Sequence, residues 1–168
     1  MRTLMTKAQQ QEFLNQNRQL TTLQFKWTFR GDGGVSLLDR NDTKITRASG
    51  GGYDRAGTCL GEFMQQHFQP ELDKLANRFR SKNRVSHVQS MKVHALYGLH
   101  WKVEAKSAYL DGVCGFDCMR RILNIIGFEI NCIKESNGRA QSGVDIYELV
   151  PVSAHNKKYF VTTVGRAA

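Results

Sequence analysis

At 168 residues the chain is long enough for one self-sufficient core, and 40% hydrophobic residues with two prolines exclude a disordered polymer. Lys and Arg total 24 against 15 Asp and Glu, a formal charge of +9, with +4 over 1–50, +4 over 51–110 and +1 over 111–168. That balance favours encounter with anionic partners but says nothing about fold. No 18-residue apolar run is present, so no membrane-spanning helix is expected.

The opening residues pass into KAQQQEFL (7–14), a helix-compatible run that Thr6 can cap. Residues 1–22 read as a helical or mobile arm, free or docked through Phe13 and Leu14. Residues 23–168 read as one compact α+β domain. Leu23, Phe25, Trp27 and Phe29 alternate, as a half-buried strand requires. The turn RGDGG (30–34) leads to VSLL (35–38), and DRND (39–42) leads to KITR (44–47). Three strands in a meander are predicted.

Beyond three glycines, Leu60, Phe63, Met64 and Phe68 recur at helical spacing. Pro70 marks a break or a fresh start. Leu72, Leu75, Ala76 and Phe79 then resume the period. Residues 84–112 lack a clean period and are read as a short strand, a loop and a helix. Phe116, Met119, Ile122, Leu123 and Ile126 predict a helix capped by Gly127. Strands are expected over 128–132, 144–150 and 159–164, the last two joined through His155 and Asn156. The predicted fold class is an antiparallel sheet with helices packed mainly on one face. Open strand edges make a homodimer an expectation as well.

The segment TRASGGGYDR (46–55) separates the third strand from the first core helix. Gly50, Gly51 and Gly52 supply backbone freedom for a structural turn. Exposed amides there, flanked by Arg47 and Arg55, would also suit an anion or a partner surface. Tyr53 is placed over the turn and Asp54 at the helix cap. Neither GxxxxGK[ST] nor GxGxxG is present, so no nucleotide cofactor is expected. This segment, with GF at 115–116, IIGF at 125–128 and VDIY at 144–147, resembles small proteins of phages and other mobile elements over about residues 43–150. In that family a cysteine is expected where Gly51 stands, so no thiol role carries over to this chain. The resemblance implies a setting of host–phage conflict, where small proteins inhibit host nucleases or CRISPR-type defence assemblies.

KLANRFRSKNR (74–84) holds Lys74, Arg78, Arg80, Lys82 and Arg84 without an acidic residue. With Arg47 and Arg55 these are the candidate contacts to a host nucleic-acid-processing protein or ribonucleoprotein, or directly to DNA or RNA. Ordinary solvation of a helix face is the competing reading. Trp27, Tyr97 and Trp101 offer base stacking, or simply core mass.

Cys114 and Cys118 lie four apart, but a second ligand pair is needed for zinc, with Cys59 and Cys132 as the remaining cysteines. Separate free thiols are expected, and no metal. Cys118 with His100, oriented by Asp117, would be a nucleophile and base. Asp111, Asp117 and Glu129 do not form a magnesium set. His67 is expected at the boundary of a core helix, and His87, His94 and His155 carry no pattern. A small nuclease or other enzyme stays as an alternative, but no ordered set of nucleophile, base and stabiliser is legible, which favours a non-catalytic protein. The opening residues lack a signal-peptide pattern. A cytoplasmic protein is expected, in the host cytoplasm if of phage origin.

Overall fold

The computed structural model describes residues 5–28, 33–49, 53–79, 88–90, 98–110, 115–136 and 143–152. Helix α1 (Lys7–Gln16) starts at Thr6, whose hydroxyl accepts from the Gln9 amide at 3.1 Å while the Gln9 side chain accepts from the Thr6 amide at 2.9 Å. This reciprocal pair satisfies two otherwise orphaned donors. Asn17 closes the helix by donating its side-chain amide to the Phe13 carbonyl. The helix is docked. Its Phe13 ring lies 4.8 Å from Phe68 and 5.6 Å from Phe128, and Leu14 is buried.

β1 (Thr22–Thr28), β2 (Gly34–Leu38) and β3 (Lys44–Ala48) form the meander that the alternation predicts. α2 (Tyr53–His67) and α3 (Gln69–Phe79) follow, separated at Phe68, with Pro70 as the second residue of α3. Helix α2 already includes Tyr53, so Asp54 lies inside its first turn rather than at its cap. Gly50, Gly51 and Gly52 fall outside the described residues.

Of the short strand, loop and helix expected over 84–112, the described residues hold strands, β4 (Val88–Ser90), β5 (Leu99–Lys102) and β6 (Ser107–Leu110), and a turn over 103–106, with no helix among them. The strands form a second antiparallel sheet in the order β4-β5-β6. The period was hidden because β5 and β6 are only four residues each, joined by a turn that holds Lys106 at φ 51°. α4 (Gly115–Ile125) and Gly127, at φ +109°, agree with the predicted helix and cap. β7 (Phe128–Lys134) and β8 (Gly143–Pro151) complete the main sheet. The strand and turn expected over 155–164 lie outside the described residues.

The main sheet is fully antiparallel with the order β3-β2-β1-β8-β7, so the fold is α+β. β8, late in sequence, pairs with β1 and closes the sheet across the whole chain. Leu23, Phe25, Trp27, Val35, Leu37, Phe128, Ile130 and Leu149 are buried from the sheet. Phe116 of α4 meets Phe25 edge-on at 5.5 Å and 87°. α2 packs against β2 and β3, and α4 against β7 and α2. The α2–α4 crossing is close because Gly57 lies directly on the backbone of Gly115 and Phe116. Burial of these aromatics, at about 25 cal/mol per Å² of apolar area, is the main favourable term.

Candidate basic interaction face

The sheet has a second face, and it carries unburied charge. In β1 the odd positions 23, 25 and 27 point to the core, which leaves Lys26 exposed on the opposite side. In β3, Thr46 and Ala48 are buried and Arg47 is exposed. The register aligns these residues across strands. Arg47 pairs with Ser36, Ser36 with Lys26, and Lys26 with Val144. The next row runs Lys44, Leu38, Gln24, Ile146 and Lys134. Lys44 joins this face because the β2–β3 register shifts next to Leu38. With strands about 4.8 Å apart, Arg47 and Lys26 stand about 10 Å from each other.

Among the described residues, Lys26, Lys44 and Lys134 have no carboxylate in salt-bridge range. Arg47 also holds the scaffold, donating to the Gly33 carbonyl at 2.9 Å and the Ser49 hydroxyl at 3.1 Å. Acidic groups lie among and beside the cations. Glu148 and Glu129 lie on β8 and β7, and Asp42, at the β2–β3 turn, accepts from Gln24 at 2.8 Å. Half-buried Leu38, Val144 and Ile146 lie between the cations. No aromatic ring is on this face among the described residues. It offers charge to phosphates or carboxylates.

The residues singled out from sequence are spread over several elements. Arg47 belongs to this face. Arg55 is exposed in the first turn of α2. Lys74 and Arg78 are exposed one turn apart on α3, which packs against β5 and β6 of the other sheet. Arg80, Lys82 and Arg84 lie outside the described residues. Lys26, Lys44 and Lys134 were not identified from sequence. Alternation with Leu23, Phe25 and Trp27 marks Lys26 as outward, but grouping it with Lys44 and Arg47 needs the register. Trp27 and Trp101 are core residues, 2% and 4% exposed, so neither offers a stacking surface. Tyr97 is outside the described residues.

A second polar feature is a cleft of about 390 Å³ lined by Glu62, Gln65, Gln66 and Gln69. Thr46 donates its hydroxyl to the Glu62 carboxylate. Glu62 is exposed as a residue, yet burial of its carboxyl end raises its pKa. Cys59 lies nearby, fully buried, with its thiol directed at the Val35 carbonyl at 3.5 Å. Burial first, and the Glu62 charge second, push that thiol up to about 12. It is protonated at neutral pH and no nucleophile.

Two glutamines of the cleft, Gln65 and Gln69, serve the second sheet. Gln65 accepts from the Leu110 amide at 3.4 Å. Gln69 donates to the Ala108 carbonyl at 2.9 Å, and Asp73 accepts from the Ala108 amide at 2.7 Å. These side chains occupy the backbone groups of the outer strand β6, which would otherwise invite another strand.

The remaining candidates are dispersed. Asp117 faces Arg120 at 4.0 Å, His100 lies 5.7 Å from the Tyr109 ring, and Cys118 is half-buried on α4. His67 is half-buried between Phe63 and Phe13, and burial lowers its pKa. Cys114, Asp111, His87, His94 and His155 are outside the described residues. Among those described, no three His, Cys, Asp or Glu side chains group as a metal site. Likewise, no described helix is long and apolar enough to cross a membrane.

No protein-family model matches the chain. No curated protein and no solved structure matches it at a significant level.

Proposed function

We propose that this protein is a basic interaction protein that docks on a host nucleic-acid-processing assembly and obstructs it. The observation that carries the reading is the cross-strand group Lys26, Lys44 and Arg47, exposed on one rigid sheet face with half-buried aliphatic residues between them. Cations fixed on strands lose less freedom on binding than cations on loops. The resemblance of residues 46–55 to phage and mobile-element proteins supports a target in host defence, of the CRISPR type or another nuclease. Lys74 and Arg78 on α3 are a second contact group, with Arg80, Lys82 and Arg84 following them in sequence. The described part of this face presents cations and aliphatic side chains, which suits a protein carboxylate surface or phosphates in a complex.

Affinity capture from a matched host lysate, with and without nuclease, tests the reading when paired with Lys26→Glu/Lys44→Glu. A protein complex that survives nuclease and is lost with the folded double variant is expected. Recovery of nucleic acid alone, with all proteins lost on digestion, would replace this reading with direct DNA or RNA binding.

A further inference from the structure

Among the described residues the main sheet ends in two unlike edges. β3, at one end, is five residues long and carries two like charges, Lys44 and Arg47. Such features discourage strand addition. β7, at the other end, is seven residues long, with no proline and an uncharged exposed run at Asn131, Cys132 and Ile133. Ile133 is 59% exposed, the one large hydrophobic so exposed among the described residues. Every second residue of β7 turns its backbone N–H and C=O away from β8.

We infer that β7 pairs antiparallel with β7 of a second copy, joining two five-stranded sheets into one of ten strands. The charge pattern of the strand selects this occupant. On β7, Cys132 pairs with Tyr147 and Lys134 with Ile146, so Ile133 is an extra residue in the register. Glu129 and Lys134 are therefore four strand positions apart, on one face, with Asn131 midway. A two-fold axis through Asn131, perpendicular to the sheet, sets Glu129 of each copy opposite Lys134 of the other. It sets Ile130 opposite Cys132 and Asn131 opposite its own copy. Without the bulge, Glu129 and Lys134 would fall on opposite faces and could not meet. Direct cross-strand pairs of opposite charge stabilise, and like pairs destabilise. The contact is isologous, as a closed dimer requires. The same axis keeps the two Lys26, Lys44 and Arg47 groups on one side of the joined sheet. The inference stands independently of the proposed host target.

One strand pair buries less than the roughly 1,200 Å² of a standard stable interface, so a reversible, concentration-dependent dimer is expected. Sedimentation of the full chain from micromolar to near-millimolar concentration tests it, with far-UV circular dichroism confirming each variant's fold. Glu129→Lys or Lys134→Glu alone creates two like-charge pairs and should weaken association about tenfold. The double variant Glu129→Lys/Lys134→Glu should recover wild-type association within about threefold. Ile133→Lys, which places a charge on the edge, should also give a folded monomer. A monomer throughout, a dimer indifferent to the single reversals, or a double reversal that fails to restore pairing would each overturn the inference.

Discussion

The indole N–H of Trp27 donates to one carboxylate oxygen of Asp145 at 2.9 Å, across a sequence separation of 118 residues. The other oxygen accepts from the Ser136 amide at 2.7 Å and its hydroxyl at 2.8 Å. One carboxylate thus ties β1 to β8 and to the segment leaving β7. Trp27 is 2% exposed, so its N–H has little access to water as a substitute. Asp145→Ala should cost about 2–3 kcal/mol, because it leaves a buried donor unpaired and frees Ser136. Ser136→Ala, which removes one of two donors at a half-buried site, should cost about 1 kcal/mol. Urea midpoints followed by tryptophan fluorescence separate the two; equal losses would show that the carboxylate does not act as this hub.

Gly57 and Gly61 are one helical turn apart on α2, and both approach α4 or its surroundings. A Cβ at Gly57 would strike backbone, including the Phe116 nitrogen at 2.7 Å. A Cβ at Gly61 would meet the Met119 sulfur at 3.3 Å, the end of a flexible side chain. Backbone cannot yield without separating the helices, whereas a thioether can change rotamer. Gly57→Ala should therefore destabilise by about 2 kcal/mol or more, and Gly61→Ala by less than about 1 kcal/mol or not at all, since alanine favours the helix. Thermal or urea unfolding of the two variants reads the contrast directly.

Gln10 of α1 is fully buried, and its side-chain amide has no hydrogen-bond partner among the described residues. It occupies the space where Gly127 would carry a Cβ. Gly127 also holds φ +109°, which L side chains rarely adopt. Gly127→Ala should cost about 2–4 kcal/mol from clash and backbone strain together. Adding Gln10→Ala should recover part of that loss, because the space is cleared while the strain remains. A double-mutant cycle measures the coupling. Strict additivity would mean that the two residues do not compete for one volume.

Local pattern carried much of this fold, and pairing carried the rest. Leu23, Phe25 and Trp27 declare a strand by alternation, and Leu60, Phe63, Met64 and Phe68 declare a helix by period. The β5–β6 hairpin escaped because Leu99, Trp101, Ala108 and Leu110 alternate over four-residue strands, too short for a period to stand out. The cationic face escaped for a different reason. Lys26, Lys44 and Arg47 are 18 and three residues apart in sequence, and the β2–β3 irregularity breaks the simple parity that would group them. The basic run from Lys74 was visible because it is contiguous, which is a property of sequence and not of surface.

The Cys59 thiol gives the stability a definite alkaline dependence. Its pKa is raised from the usual 9.0 to about 12, by burial and then by the Glu62 charge. Below pH 9 the thiol is protonated in both folded and unfolded chains and contributes no slope. Between about pH 9 and 12 the unfolded thiol releases its proton while the folded one retains it. The unfolded state then binds fewer protons, so stability falls as pH rises, by an order of 2–4 kcal/mol across the window. Lysines and tyrosines titrate there too, and comparison with Cys59→Ala removes their share. That variant should be less stable at neutral pH by about 1–2 kcal/mol from the cavity, yet show a shallower decline above pH 9. Glu62→Gln should narrow the window from above, since it removes the second cause of the raised pKa. Thiol reactivity gives an independent reading: exposed Cys132 should react in the folded chain and Cys59 only on unfolding. Parallel alkaline slopes for wild type and Cys59→Ala would mean that the thiol does not hold its proton in the folded state.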